Sequence, residues 1–189
     1  MGGMVLIVAA TEEESSAVSG YPVLVTGIGT SNCAIELVDY VARERPRHIV
    51  NIGTAGSLRG DVGIFEISHV YRHDFDSALI ARITGRPCPN EVELPTTGVL
   101  PTARLATGDS FVADSATRGR LARSADLVDM EGHVVALVGR RFGIPVTLLK
   151  QVSDNADGAA PMSWSEAARS GAPALAEAAL TVIKALAVE

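Results

Sequence analysis

The sequence predicts an α/β sandwich. Short apolar runs rich in β-branched residues recur along the chain between Gly or polar breaks. Stretches with helical periodicity fall between them. The apolar runs are continuous rather than alternating, which implies strands buried on both faces. Strands interleaved with helices in this way pack as layers about a buried sheet.

The elements follow in order. Residues 4–10 (MVLIVAA) read as the first strand and 22–26 (PVLVT) as the second. Residues 48–52 (HIVNI) are a third, 66–71 a fourth, 104–107 a short fifth and 126–128 a sixth. Residues 145–152 (PVTLLKQV) are a strong seventh. A helix capped by Ser31 carries Ala34, Leu37, Val38 and Val41 at helical spacing, and Pro46 limits its end. A second helix, 131–142, carries Val134, Val135, Leu137 and Val138 and stops at Gly143. Residues 163–187 are rich in Ala and Leu, and Gly171 and Pro173 divide them into two helices. No repeat or linker interrupts the pattern, so residues 1–189 read as a single domain.

Composition narrows the function. Lys and Arg number 16 against 22 Asp and Glu, a formal net charge of −6 that argues against a nucleic-acid binder. Hydrophobic residues at 47% and charged residues at 20% are the mix of a folded core, not of a disordered chain. Cys33 and Cys88 are too few for a disulfide framework. No apolar run approaches the ~18 residues of a membrane span. The expectation is a soluble, reduced, cytoplasmic protein.

Ligands of such folds sit at the carboxyl ends of strands. Here those ends carry acids, small hydroxyls and glycines at 11–14, 27–30, 53–57, 108–112, 129–131 and 153–157. Gly27 and Gly29 stand between a strand and a helix, where backbone amides can seat a phosphate. Asn32 occupies the place of the fingerprint's third glycine, and a plain tight turn fits the pattern equally well. Glu14, Glu131 and Asp154 each follow a strand. Converging carboxylates perform acid–base chemistry because burial and mutual repulsion raise some of their pKa values. Acids at strand ends also cap helices. His69 and His73 would share a metal on a helix, but on a strand they stand ~13 Å apart.

Taken together, these stretches resemble the purine nucleoside phosphorylase/nucleosidase superfamily, and most nearly the 5′-methylthioadenosine/S-adenosylhomocysteine nucleosidases. The resemblance is carried by ATEEE at 10–14, TGIG at 26–29, NIGTAG at 51–56 and ATGDSF at 106–111. VDME at 128–131, FGIP at 142–145 and VSDNAD at 152–157 complete it. It implies a three-layer α/β/α sandwich with a central mixed sheet, no metal, no organic cofactor, and a homodimer with no nucleic-acid or membrane partner.

The implied reaction is cleavage of the N-glycosidic bond of a purine nucleoside through an oxocarbenium-like transition state. By resemblance, Asp154 protonates or hydrogen-bonds N7 of the base, oriented by Ser153. Glu131 holds the ribose hydroxyls beside Asp129, with Met130 under the sugar. Glu14 positions and deprotonates the attacking water. Phe111 stacks on the base and the Val112 backbone reads its edge. Ile28, Thr54, Ala55 and Gly56 line the ribose and water side, and Trp164 closes the base pocket. A cation at C1′ favours nearby carboxylates, and a departing base favours an acid.

Phosphorylases of the superfamily hold phosphate with arginines, one of them just before the GT/GS turn. Asn51 stands there in this chain, and a dianion without its arginine is poorly held. Water is therefore the expected nucleophile, with a phosphorylase and a catalytically silent nucleoside binder as alternatives. The chain is compact between Glu14 and Pro22 and between Asp76 and Arg104, regions that shape the 5′ pocket and the dimer contact. Lys150 matches the family's arginine before the SD pair, and Asp129 matches a common Glu. Phe75 matches a stretch that lies near the partner's pocket.

Overall fold

A computed structural model describes residues 3–187, apart from the side chains of 161–163. In chain order the elements are β1 (Val5–Ala9), α1 (Glu12–Ser15), β2 (Val23–Val25), α2 (Thr30–Glu44), β3 (His48–Ser57), β4 (Ile64–Arg72) and α3 (Ser77–Thr84). There follow β5 (Glu91–Glu93), β6 (Thr102–Thr107), α4 (Ser115–Leu121), β7 (Leu127–Asp129), α5 (Gly132–Phe142), β8 (Val146–Asp154) and α6 (Ala160–Leu186).

The sheet is mixed. β1 pairs in parallel with β2 and β3, β3 in parallel with β8, and β6 in parallel with β4 and β7. β4 runs antiparallel to β5 and β8, and β7 antiparallel to β3. Strands β3, β8, β4, β6 and β7 thereby close on one another in a ring, with β1 and β2 extending it on one side and β5 on the other.

Both faces are apolar, as the unbroken strand sequences require. Leu6 and Val8 of β1 pack with Leu37, Val41, Val135 and Leu148 beneath α2 and α5. Val5, Ile7 and Ala9 of the same strand pack with Leu175, Ala179, Val182 and Ile183 of α6. Each fully buried aliphatic side chain contributes about 1.5–3 kcal/mol, so these two clusters hold the layers together.

Four expectations are corrected. Ser31 does not cap α2: the helix starts at Thr30 after Gly29, with no side-chain cap from its own residues. The third strand does not end at 52 but runs to Ser57, so the glycines of NIGTAG lie within a strand. Residues 160–186 form one helix through Gly171 and Pro173. Gly171 is a close packing point, since a Cβ there would overlap the Gln151 amide. The short elements α1, α3, β5 and α4 were not expected. They bury little: none of α3 is buried, and α4 buries only Leu121.

Candidate active site

Strand β3 is the hub. β1, β8 and β7 all pair with it, so the residues just beyond β1 and β7 and at the end of β8 meet around its C-terminal half. Two glycines make room for them. A Cβ at Gly53 would lie 3.1 Å from Lys150 Nζ and 3.3 Å from Glu14 Oε1. A Cβ at Gly56 would lie 3.0 Å from Asp154 Oδ1 and from the Ala156 Cβ. The β3–β8 register slips at Ala55/Gly56, the kind of irregularity that re-aims side chains at functional sites.

The result is a cavity of about 290 Å³, at the small end for ligand pockets. The residues given catalytic or substrate-binding roles from the resemblance line it: Glu14, Ile28, Thr54, Ala55, Gly56, Phe111, Val112, Asp129, Met130, Glu131, Ser153, Asp154 and Trp164; Gly27, Gly29, His69, His73 and Phe75 do not. Ala10, Ser110 and Val128 line it as well. Phe111 remains 47% exposed at the wall.

Glu14 is 3% exposed. Its Oε1 accepts hydrogen bonds from both the Thr54 N–H and the Thr54 hydroxyl, each at 2.8 Å. Its Oε2 accepts from the Thr11 N–H at 3.2 Å, and the Thr11 hydroxyl accepts from the Glu14 N–H. This is a capping box. Helix capping and placement in the cavity are thus the same geometry, and the cap fixes the carboxylate's aim.

At the end of β7, Asp129 Oδ1 accepts from the Thr107 hydroxyl at 2.5 Å. Its Oδ2 accepts from the Gly132 N–H at 2.8 Å and pairs with Lys150 Nζ at 2.9 Å. Glu131 Oε1 accepts from the Gly29 N–H at 2.7 Å. Burial, reinforced by the charge of Asp129, pushes the Glu131 carboxyl up to about 8, against the opposing pull of Lys150 and the Gly29 N–H. Glu131 is thus protonated more readily than an ordinary glutamate, and when protonated it can both donate and accept. Burial alone would lower the Lys150 ammonium, but Asp129, Glu131 and Glu14 together hold it above its usual range.

At the other end, Asp154 Oδ2 accepts from the Ser153 hydroxyl and Oδ1 from the Ala156 N–H, both at 2.7 Å. Ala156 aims that N–H from a left-handed conformation, φ 50°, which costs a non-glycine residue roughly 1–2 kcal/mol. Trp164 lines the cavity and makes one further contact. Its indole N–H donates to the Thr54 hydroxyl at 2.8 Å, so its one polar atom is committed to the Glu14 end and not to the Asp154 end.

Lys150 is the principal addition to the sequence reading. It is 1% exposed and sits behind the lining residues, tied to Asp129. The signal was present: a lysine inside the most apolar strand is buried only if paired. The Gly27–Gly29 turn also has a definite role. The first free amides of α2 are already taken, Gly29 N–H by Glu131 and Thr30 N–H by Asp109 at 2.7 Å. The helix terminus that might have seated a phosphate holds two carboxyl groups instead.

Comparison with known proteins agrees with this architecture. The phosphorylase superfamily's sequence profile matches residues 15–187. A 5′-methylthioadenosine/S-adenosylhomocysteine nucleosidase of Shewanella sediminis is 27% identical over 84% of this chain and 80% of its own length. Among solved structures, a Helicobacter pylori nucleosidase mutant with 5′-methylthioadenosine in its active site superposes with TM-score 0.85 and 21% identity, covering 97% of this chain and 99% of that one. The futalosine hydrolase of the same organism also superposes with TM-score 0.85 and 21% identity, over 97% and 98%. With a profile match across nearly its whole length and this shared fold, the chain belongs to the phosphorylase superfamily.

Proposed function

We propose that this cavity hydrolyses the N-glycosidic bond of a purine nucleoside, a 5′-modified adenosine, with water as the nucleophile. One observation carries the reading. Asp154 stands at one end of the cavity, and Glu14 with Glu131 at the other. Gly56, which admits Asp154, and Gly53, which admits Glu14, are three residues apart along β3, roughly 10 Å. That separation leaves a sugar between an acid for the base and carboxyl groups for the sugar.

The chemistry then follows. Asp154 supplies or shares a proton at N7, so that when the C1′–N9 bond breaks its electron pair leaves on a neutral base. The positive charge growing at C1′ is favoured by the surrounding carboxylates. Thr54 occupies Glu14 Oε1 with two donors, and Oε2, holding only the Thr11 N–H, has a lone pair left to take a proton from water as the water oxygen bonds to C1′. Glu131 binds the ribose hydroxyls. Met130 and Phe111 supply the apolar contacts to sugar and base, the Val112 backbone reads the base edge, and Ile28, Ala55 and Gly56 shape the wall.

Phosphate is disfavoured as nucleophile. The α2 amides are occupied by carboxyl groups, and no Arg or Lys is among the described lining residues. Asn51 is buried, its amide donating to the Val8 carbonyl at 3.0 Å. The names of the relatives, and the 5′-methylthioadenosine in the structural neighbour, support the substrate class. The protein acts as a homodimer in the cytoplasm on this reading. Ile35 and Val38 on α2, and Phe75, are exposed apolar side chains available to a second copy, and two free cysteines suit a reducing compartment.

The test is adenine release from 5′-methylthioadenosine, S-adenosylhomocysteine and 5′-deoxyadenosine. Release from at least one supports the reading, and release from none contradicts it.

A further inference from the structure

We infer that Trp164 is a positioning residue for Glu14, acting through the Thr54 hydroxyl. The inference rests on the nucleosidase reading of the cavity and extends it to a residue that need not touch the reacting atoms.

The argument concerns one proton. A threonine hydroxyl has a single proton to give and two lone pairs to receive with, whereas an indole N–H can only donate. Trp164 donates to Thr54 Oγ1 at 2.8 Å. The Thr54 hydroxyl must therefore accept at that side. Its own proton is left for Glu14 Oε1, also at 2.8 Å. The Thr54 N–H reaches the same oxygen, so Oε1 is saturated, and Oε2, which takes only the Thr11 N–H, keeps a lone pair for water. Without the indole donor the hydroxyl is free to rotate, and one of the two constraints on Oε1 is lost.

The arrangement also joins the cavity to α6. Trp164 lies in the first turns of that helix, and its side chain crosses to β3, so the hydrogen bond holds the start of α6 over the pocket.

The chain's single tryptophan makes this measurable in two ways. The uniformly ¹⁵N-labelled full chain gives one indole N–H resonance. Thr54→Val should move it upfield and speed its exchange with water about tenfold, the effect of losing one hydrogen bond. An unmoved resonance would overturn the inference whatever the activity. In base release, Trp164→Phe keeps the aromatic wall and should lower kcat about tenfold with KM within about twofold. Thr54→Val should lower kcat at least as far, and the double variant no further than Thr54→Val alone. Losses that multiply in the double variant, or wild-type kcat in Trp164→Phe, would overturn the relay. A wild-type chain that releases base from no nucleoside would instead refute the nucleosidase reading. The resonance arm would still decide the contact.

Discussion

At the Asp154 end of the cavity the hydrogen bonds to the carboxylate are local. Ser153 and Ala156, one and two residues away, supply both hydrogen bonds to the carboxylate. At the Glu14 end only the Thr11 cap and the Gly132 N–H on Asp129 are local. Thr54 is 40 residues from Glu14, and Gly29 is 102 from Glu131. Lys150 reaches Asp129 from a different strand. One end is a motif that carries its own geometry, and the other exists only once four strands have assembled. Changes at the local end should therefore cost activity alone. Changes at the assembled end should cost stability as well.

The largest effect is expected at the local end. Asp154→Asn should reduce kcat by about 10²–10⁴-fold, with nucleoside binding retained by calorimetry and Tm within about 2 °C. Turnover like that of the wild type would remove Asp154 from its assigned role, and a large fall in Tm would break the comparison.

Next comes the assembled end. Lys150→Met leaves Asp129 buried without its partner, and loss of one member of such a pair costs about 3–5 kcal/mol. Urea denaturation should show it, and an unchanged midpoint would mean the ion pair is dispensable.

Glu131 sharpens the same contrast through pH. Its folded pKa is raised to about 8 from an ordinary 4.5. Between those values the folded state holds a proton that the unfolded state has released, so its stabilising contribution is full below pH 4.5 and is lost as pH rises through 8. Wild-type Tm should fall from pH 5 to pH 8 relative to Glu131→Gln, which cannot titrate. Parallel curves would contradict the assignment.

The smallest effects belong to the two glycines. Gly56→Ala presses on Asp154 and should lower kcat several-fold. Gly53→Ala presses on Lys150 and Glu14 and should lower stability by about 1–3 kcal/mol. Equal effects of both on stability would erase the difference between the ends.

The same division governs what could be read from the sequence. The continuous runs of β1 and β8 are legible because both faces of the sheet are covered, and α2 and α5 show their periodicity. The full length of β3 was hidden because Gly53 and Gly56 look like a turn, when each marks a close approach by a charged side chain from another strand. The single helix α6 was hidden because Gly171 looks like a break when it is a contact with Gln151. Asp154 stood out because its hydrogen-bond partners are also its neighbours in sequence. That α2 would be capped by Glu131 and Asp109 rather than by Ser31, and that Trp164 would bond to Thr54, depended on tertiary assembly. Local propensity carries no record of such choices.

The central claim is that water, not phosphate, attacks C1′. The most direct measurement follows adenine release from a 5′-modified adenosine while ³¹P resonance monitors added phosphate. The account predicts a rate unchanged by saturating phosphate and a free sugar as the only co-product. Release that requires phosphate, with a sugar 1-phosphate accumulating in step with adenine, would contradict it.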